Sequence, residues 1–138
     1  MFVAFSIAVL ISSVSVQAQT DAGPIRSSPA YAEVLLRKTE IMADIEALSA
    51  DYTEANPKMI DLRSELASLD KSLEKIFGVK PSETGKLTLA LGKLLVRRAA
   101  LESDLGRLSR SYNKDHPEIK RATRKLEIYD AAIKEVLK

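Results

Sequence analysis

The sequence predicts an all-α protein built from tandem duplicated helical hairpins. They form either a four-helix bundle or one long antiparallel coiled coil. Three observations predict it. The string Leu48-Ser49-Ala50-Asp51-Tyr52-Thr53-Glu54-Ala55-Asn56-Pro57 returns sixty residues later as Leu108-Ser109-Arg110-Ser111-Tyr112-Asn113-Lys114-Asp115-His116-Pro117. The same offset matches Leu35 with Leu95, Arg37 with Arg97, Asp44 with Asp104 and Leu66 with Leu126. Apolar residues recur at steps of three and four, and nowhere alternate with period two for more than a few residues, which is the heptad signature of packed helices. A repeat of this length is one structural unit that buries its apolar face on its neighbour.

The elements follow in order. Residues 2–16 are almost wholly apolar and Val16-Gln17-Ala18 offers small residues for cleavage, so residues 1–18 are expected to be a secretory signal peptide. No Lys or Arg precedes the run, a departure from the usual pattern. The run is also shorter than the ~20 residues a spanning helix needs, so no transmembrane segment is expected after cleavage. Residues 19–28, with Gly23, Pro24, Ser27 and Ser28, read as a flexible leader. Ser28-Pro29 is a helix start, a hydroxyl cap followed by proline in the first turn. Helical repeat 1 is expected over 29–77 and repeat 2 over 87–138, joined by a linker loop over 78–86 into one domain, 29–138. Gly78 suits a helix end and Pro81 forbids continuation.

Pro57 and Pro117 decide the shape. Each proline pushes the preceding residue, Asn56 or His116, out of helical geometry, which favours a turn and two antiparallel helices per repeat. The heptad phase nevertheless runs unbroken from Tyr52 to Met59 and from Tyr112 to Ile119, as a kinked continuous helix would also give. Lys38 and Arg98 hold the same inward position in the two copies. A buried pair for an anionic ligand is one reading. The favoured reading is a long cationic stem that snorkels from the seam, or meets an Asp or Glu on the facing helix and helps set register.

The chain has 21 Lys and Arg against 19 Asp and Glu, one His and no Cys. Residues 19–77 hold 7 basic and 11 acidic side chains, and residues 78–138 hold 14 and 8. The first repeat is therefore acidic and the second basic, and the two are expected to lie against each other. With no Cys there is neither a disulfide nor a Cys–His pair. Five scattered glycines make no phosphate loop. No catalytic residue, metal ligand or cofactor site is expected, and the protein is read as not an enzyme. Two groups of residues stand out. Tyr52, Asn56, Pro57, Tyr112, His116 and Pro117 form a repeated turn motif. Arg107, Arg110, Lys114, Lys120, Arg121, Arg124 and Lys125 form a basic run. That run is poor in aromatics, which argues against nucleic acid. It suits an anionic polymer or lipid head group, or pairing with the acidic repeat, which is favoured.

The stretch Leu108-Ser-Arg-Ser-Tyr112-Asn-Lys-Asp-His116-Pro117-Glu-Ile119 resembles the periplasmic coiled-coil segment of the polysaccharide chain-length determinant and exopolysaccharide transport family. Leu48 through Met59 resembles it too, with Asn56 in place of histidine. The resemblance implies helical hairpins beside the inner membrane and a link to polymer export. It covers the stalk alone: the family's transmembrane helices, membrane-proximal α/β domain and kinase-like phosphate loop have no counterpart here. The expected function is that of an exported, non-enzymatic coiled-coil protein of the bacterial periplasm, binding an envelope protein or itself through helices. The alternative is a periplasmic holdase chaperone or stress protein. Leu35, Met42, Ile60, Phe77, Leu87, Leu89 and Leu95 lie beside the heptad seam and widen it, as a four-helix core or an oligomer requires.

Overall fold

A computed structural model describes residues 22–138, so the expected signal peptide lies outside the described residues. The chain is an all-α bundle. A short helix, α1 (Gly23–Arg26), precedes four long ones: α2 (Pro29–Ser49), α3 (Pro57–Phe77), α4 (Leu89–Ser111) and α5 (Pro117–Leu137). Between α3 and α4 lies a 3-10 helix, Pro81–Lys86. Among the described residues, no helix is long and apolar enough to cross a membrane.

Each long helix starts where side-chain chemistry caps it. Ser28 accepts a hydrogen bond from the Tyr31 amide, Asn56 from Lys58, Thr88 from Leu91 and His116 from Glu118. All four caps have extended backbone, so their side chains can satisfy an amide that the first helical turn leaves orphaned. Proline occupies the first turn of α2, α3 and α5, where its missing N–H costs nothing. Gly78 ends α3 by donating to Glu74 O at 2.9 Å. It does so with φ −76° and ψ −8°, so the helix stops in right-handed geometry.

Pro57 and Pro117 mark turns. The backbone leaves the helix after Ser49 and after Ser111, and each departure is followed by a reversal. In the first hairpin, Arg37 Nε lies 2.8 Å from Glu65 Oε1 and Lys38 Nζ 2.5 Å from Asp70 Oδ1. In the second, Arg98 Nε lies 2.5 Å from Asp130 Oδ1. Lys38–Asp70 and Arg98–Asp130 are thirty-two residues apart in both hairpins, so the cationic stem at the seam meets a carboxylate on the facing helix. The α3 and α5 segments have the same length and begin sixty residues apart, at Pro57 and Pro117.

The hairpins do not close into a symmetric four-helix ring. α4 packs on α2, α3 and α5, whereas α2 and α5 share no packed interface. The core runs through Val34, Ile41, Leu69, Ile76, Leu91, Leu95 and Ala99, all nearly inaccessible. α2 and α4 run side by side in the same direction, with Gly92 against Ala30. A Cβ on Gly92 would lie 2.8 Å from Glu33 Cβ, 3.0 Å from Ala30 Cα and 3.1 Å from Ala30 O. The helices touch here through backbone, and the Ala30 amide also donates to Leu87 O at 3.2 Å.

Two expectations are corrected. Residues 19–28 were expected to form a flexible leader, but 23–26 form a helical turn that buries Ile25 in the core. The Ser28 hydroxyl donates to Ile25 O at 2.6 Å and locks that turn onto α2. One large apolar side chain in a polar stretch is enough to dock it. The second concerns charge. The two repeats do lie against each other, through α4 on α2 and α3, but the basic run pairs little with the acidic repeat: among the described residues, Arg110–Asp61 is the one ion pair that joins the two hairpins, and the others close within a hairpin or the linker.

The Gly92 contact is testable. Gly92→Ala forces backbone apart, and a loss of about 1–3 kcal/mol is expected, as for overpacked cores. Gly106 has nothing nearer its notional Cβ than Ser64 Oγ at 4.0 Å, so Gly106→Ala is expected to stabilise by roughly 0.5–1 kcal/mol through helix propensity. Urea denaturation of both variants checks the contrast in sign.

Candidate functional site

Because α2 and α4 are parallel neighbours, both hairpin turns lie at one end of the bundle. The residues singled out from the sequence gather there. In the second hairpin the Tyr112 ring stacks on the His116 imidazole, with centroids 4.0 Å apart and planes 18° from parallel. His116 Nδ1 accepts from the Glu118 amide at 3.2 Å, which needs that nitrogen unprotonated. In the first hairpin Asn56 Oδ1 accepts from the Lys58 amide at 2.9 Å. Tyr52 and Tyr112 each donate a backbone amide to the leucine four residues before, Leu48 or Leu108, at 2.9 Å. Both rings remain about half exposed.

The basic run occupies the same end of the second hairpin. Arg107 and Arg110 sit on the last turns of α4, Lys114 in the turn, and Lys120, Arg121, Arg124 and Lys125 on the first turns of α5. The structure sorts them. Arg110 is held by Asp61 across the hairpin interface, Arg107 by Asp104 and Arg121 by Glu118, while Lys120 stands 3.9 Å from Asp115. Among the described residues, Lys114, Arg124 and Lys125 have no carboxylate at ion-pair distance. An open groove beside α5 is lined by Lys114, Lys120, Arg121 and Arg124 with Asp115 and Glu127 on its edges. The first turn of α5 adds the positive end of a helix dipole. The favoured pairing with the acidic repeat is therefore met by Arg110 alone.

The most enclosed polar cluster lies mid-bundle. Arg98 on α4 bonds Asp130 on α5 through Nε and Glu102 Oε2 through a terminal nitrogen at 2.7 Å. The Ser68 hydroxyl of α3 donates to the same Glu102 oxygen at 2.5 Å. The cluster ties three helices together. The hydrogen bond to Asp130 holds the Arg98 guanidinium above its ordinary range, against burial. Burial pushes the Glu102 carboxyl up, but the Ser68 hydroxyl and Arg98 outweigh it and leave it below the usual carboxylate range. The cluster holds helix register. Among the described residues, no group of three or more His, Asp or Glu is placed to hold a metal ion.

A second surface was only half visible in the sequence. Of the residues flanking the seam, Leu87 and Leu95 are buried, while Leu35, Met42, Ile60, Phe77 and Leu89 stay 37–52% exposed. Two others do not stand out in the heptad pattern: Leu36 is 58% exposed and Ile128 is 68% exposed. Leu35, Leu36 and Met42 all lie on α2. The signal that would have found the missed pair is the sixty-residue offset. Leu36 aligns with Val96, which is half-buried on α4 beside Arg37 of α2. Ile128 aligns with Ser68, buried against α4. No family model matches this chain, and neither the curated proteins nor the solved structures contain a significant match.

Two outcomes follow. His116→Ala removes the α5 cap and its stacking partner, with an expected loss of about 1 kcal/mol. His116→Asn copies the cap of the first hairpin and keeps most of that stability, as thermal denaturation of the pair will show. Glu102, with its folded-state pKa lowered, stabilises the fold above its ordinary value of 4.5. That stability is lost progressively as pH falls from there through the folded value. Glu102→Gln is therefore expected to flatten the decline in stability below pH 4.5, measured by denaturant titration at several acid pH values.

Proposed function

We propose that this chain is an exported helical protein of the cell envelope that acts by binding other proteins, or itself, through helix surfaces. The observation that carries the reading is the row of large apolar side chains on the outer side of α2, Leu35, Leu36 and Met42, each 40–58% exposed. Exposed rows of this kind mark interaction surfaces more than scattered single residues do. Three further points support it. Residues 1–18 carry the pattern of a signal peptide. The sixty-residue recurrence of caps, turns and the Lys38–Asp70 and Arg98–Asp130 ties supports an origin by tandem duplication. Such repeats serve as scaffolds presenting surfaces. The resemblance to the polysaccharide chain-length determinant and exopolysaccharide transport family offers polymer export as the setting. The basic groove beside α5 fits an anionic polymer or lipid head group there.

A holdase chaperone would use the same exposed side chains differently, cradling many unfolded clients. The apolar row lies on a single helix, and the groove between it and α4 is lined with charges such as Glu33, Arg37, Lys93 and Arg97, which favours defined partners.

Two measurements test the reading in cells. Fractionation and N-terminal sequencing are expected to recover a periplasmic chain starting at Gln19. A photo-reactive side chain placed at Leu36 is expected to yield one or a few discrete adducts. A smear of many adducts, with suppression of client aggregation by the purified protein, would transfer the assignment to the chaperone. A cytoplasmic chain with an intact N-terminus would end both.

A further inference from the structure

The internal packing of the two hairpins is also a template for packing one copy on the next. α4 docks on the first hairpin through one face. That face includes Leu95, Glu102, Ser103 and Gly106, and the surface receiving it includes Asp61, Ser64 and Ser68 of α3. The Ser68 hydroxyl reaches Glu102, the Ser103 hydroxyl donates to Asp61 O at 2.9 Å, and Ser64 Oγ lies 4.0 Å from a Cβ placed on Gly106. Shifting both faces by sixty residues moves them to surfaces that nothing in the described chain covers. The docking face becomes the outer side of α2. The receiving surface becomes the outer groove of α4 and α5.

Two of the shifted pairs are complementary, while the Asp61–Arg110 ion pair shifts to Arg121 and Ala50 and has no counterpart. Glu102 and Ser68 become Met42 and Ile128, two apolar side chains 52% and 68% exposed. Gly106 and Ser64 become Glu46 and Arg124, a carboxylate and a guanidinium. Ser103 and Asp61 become Ala43 and Arg121, where the internal contact uses only the backbone carbonyl of the receiving residue. At the close approach, Gly92 and Ala30 become Ala32 and Ala90, so the helices sit slightly farther apart. Beyond these pairs, Lys125 lines the groove between α4 and α5 and Glu40 lies exposed on α2, whereas Lys93 and Arg97 already share the internal α2–α4 groove with Glu33. A Glu46–Arg124 pair between chains would add to Arg110–Asp61, which joins the two hairpins within one chain. An isolated Ile128 at 68% exposure on an otherwise charged stretch of α5 also gains an apolar partner.

We propose that copies of this chain assemble head to tail. α2 of one copy seats in the α4–α5 groove of the next and continues the hairpin stack. The interface uses two different faces, so it propagates to a ring if the rotation closes and to a filament if it does not. The proposal rests on the function proposed above and names a second copy as the partner of the α2 row.

The chain has no cysteine, so introduced thiols report the contact directly. Full-length Met42→Cys and Ile128→Cys variants are prepared separately. Mixed under mild oxidation, they are expected to give a disulfide-linked dimer, while neither alone does so. A chain carrying both substitutions is expected to give a ladder of dimers, trimers and larger species. Met42→Cys with Ile60→Cys, exposed on α3 and so not part of the α4–α5 groove, serves as the random-collision control. Glu46→Arg in the first variant or Arg124→Glu in the second is expected to lower the dimer yield severalfold, and combining the two to restore it. Yield no higher than the control pair, or bonding mainly between two Met42→Cys chains, would overturn head-to-tail assembly. If discrete adducts to another envelope protein still form at Leu36, the proposed function stands while this assembly falls.

Discussion

The fold depends on how close α4 comes to α2 and α3. Gly92 lets the backbone of α4 meet the backbone of α2 at Ala30, where a side chain would have no room. That approach lets Leu91, Leu95 and Ala99 enter the core that Val34, Ile41, Leu69 and Ile76 begin. α4 is thereby committed on two sides, and its third side is left for α5. The short α1 and the 3-10 linker close the opposite end, where Ile25 and Leu87 are buried. A bulkier residue at position 92 would separate the hairpins at the point from which the rest of their packing extends.

Within each hairpin, polar chemistry sets register and apolar burial supplies most of the energy. The Lys38–Asp70 and Arg98–Asp130 ties are partly exposed, and such pairs contribute at most about 1 kcal/mol. Their value is geometric: sliding either helix by one turn would separate cation from carboxylate. The Arg98 cluster extends the same logic across three helices, since Ser68 and Asp130 come from different hairpins and meet through Arg98 and Glu102. The capped prolines at the turns set where each second helix starts, so register is defined from both ends.

Once α4 has docked, the two hairpins are no longer equivalent. Positions that are buried in one copy of the repeat face outward in the other. Ser68 is covered while Ile128 is bare, and Leu95 is covered while Leu35 is 40% exposed. The residual charge is distributed in the same unequal way, with carboxylates along α2 and cations along α4 and α5. A protein of this architecture leaves two different faces open, one along α2 and one along α4 and α5.

Helix class, turn positions and caps were legible from the sequence because each is a local property. A proline fixes its own φ, a cap reaches two or three residues, and a heptad reports one face of one helix. The repeat also pointed to the ties at Lys38 and Arg98, because it places a like residue at the same inward position twice. The sequence could not say which face of α2 would remain open. Leu35 and Leu95 are identical in type and in local setting, yet only Leu95 is buried. That difference arises from the presence of another helix, a contact between residues far apart in the chain. The charge split misled for the same reason: it counts residues without their directions. Local chemistry determined the helices and their turns, and tertiary packing decided which of their faces were left exposed, since exposure is set by neighbours.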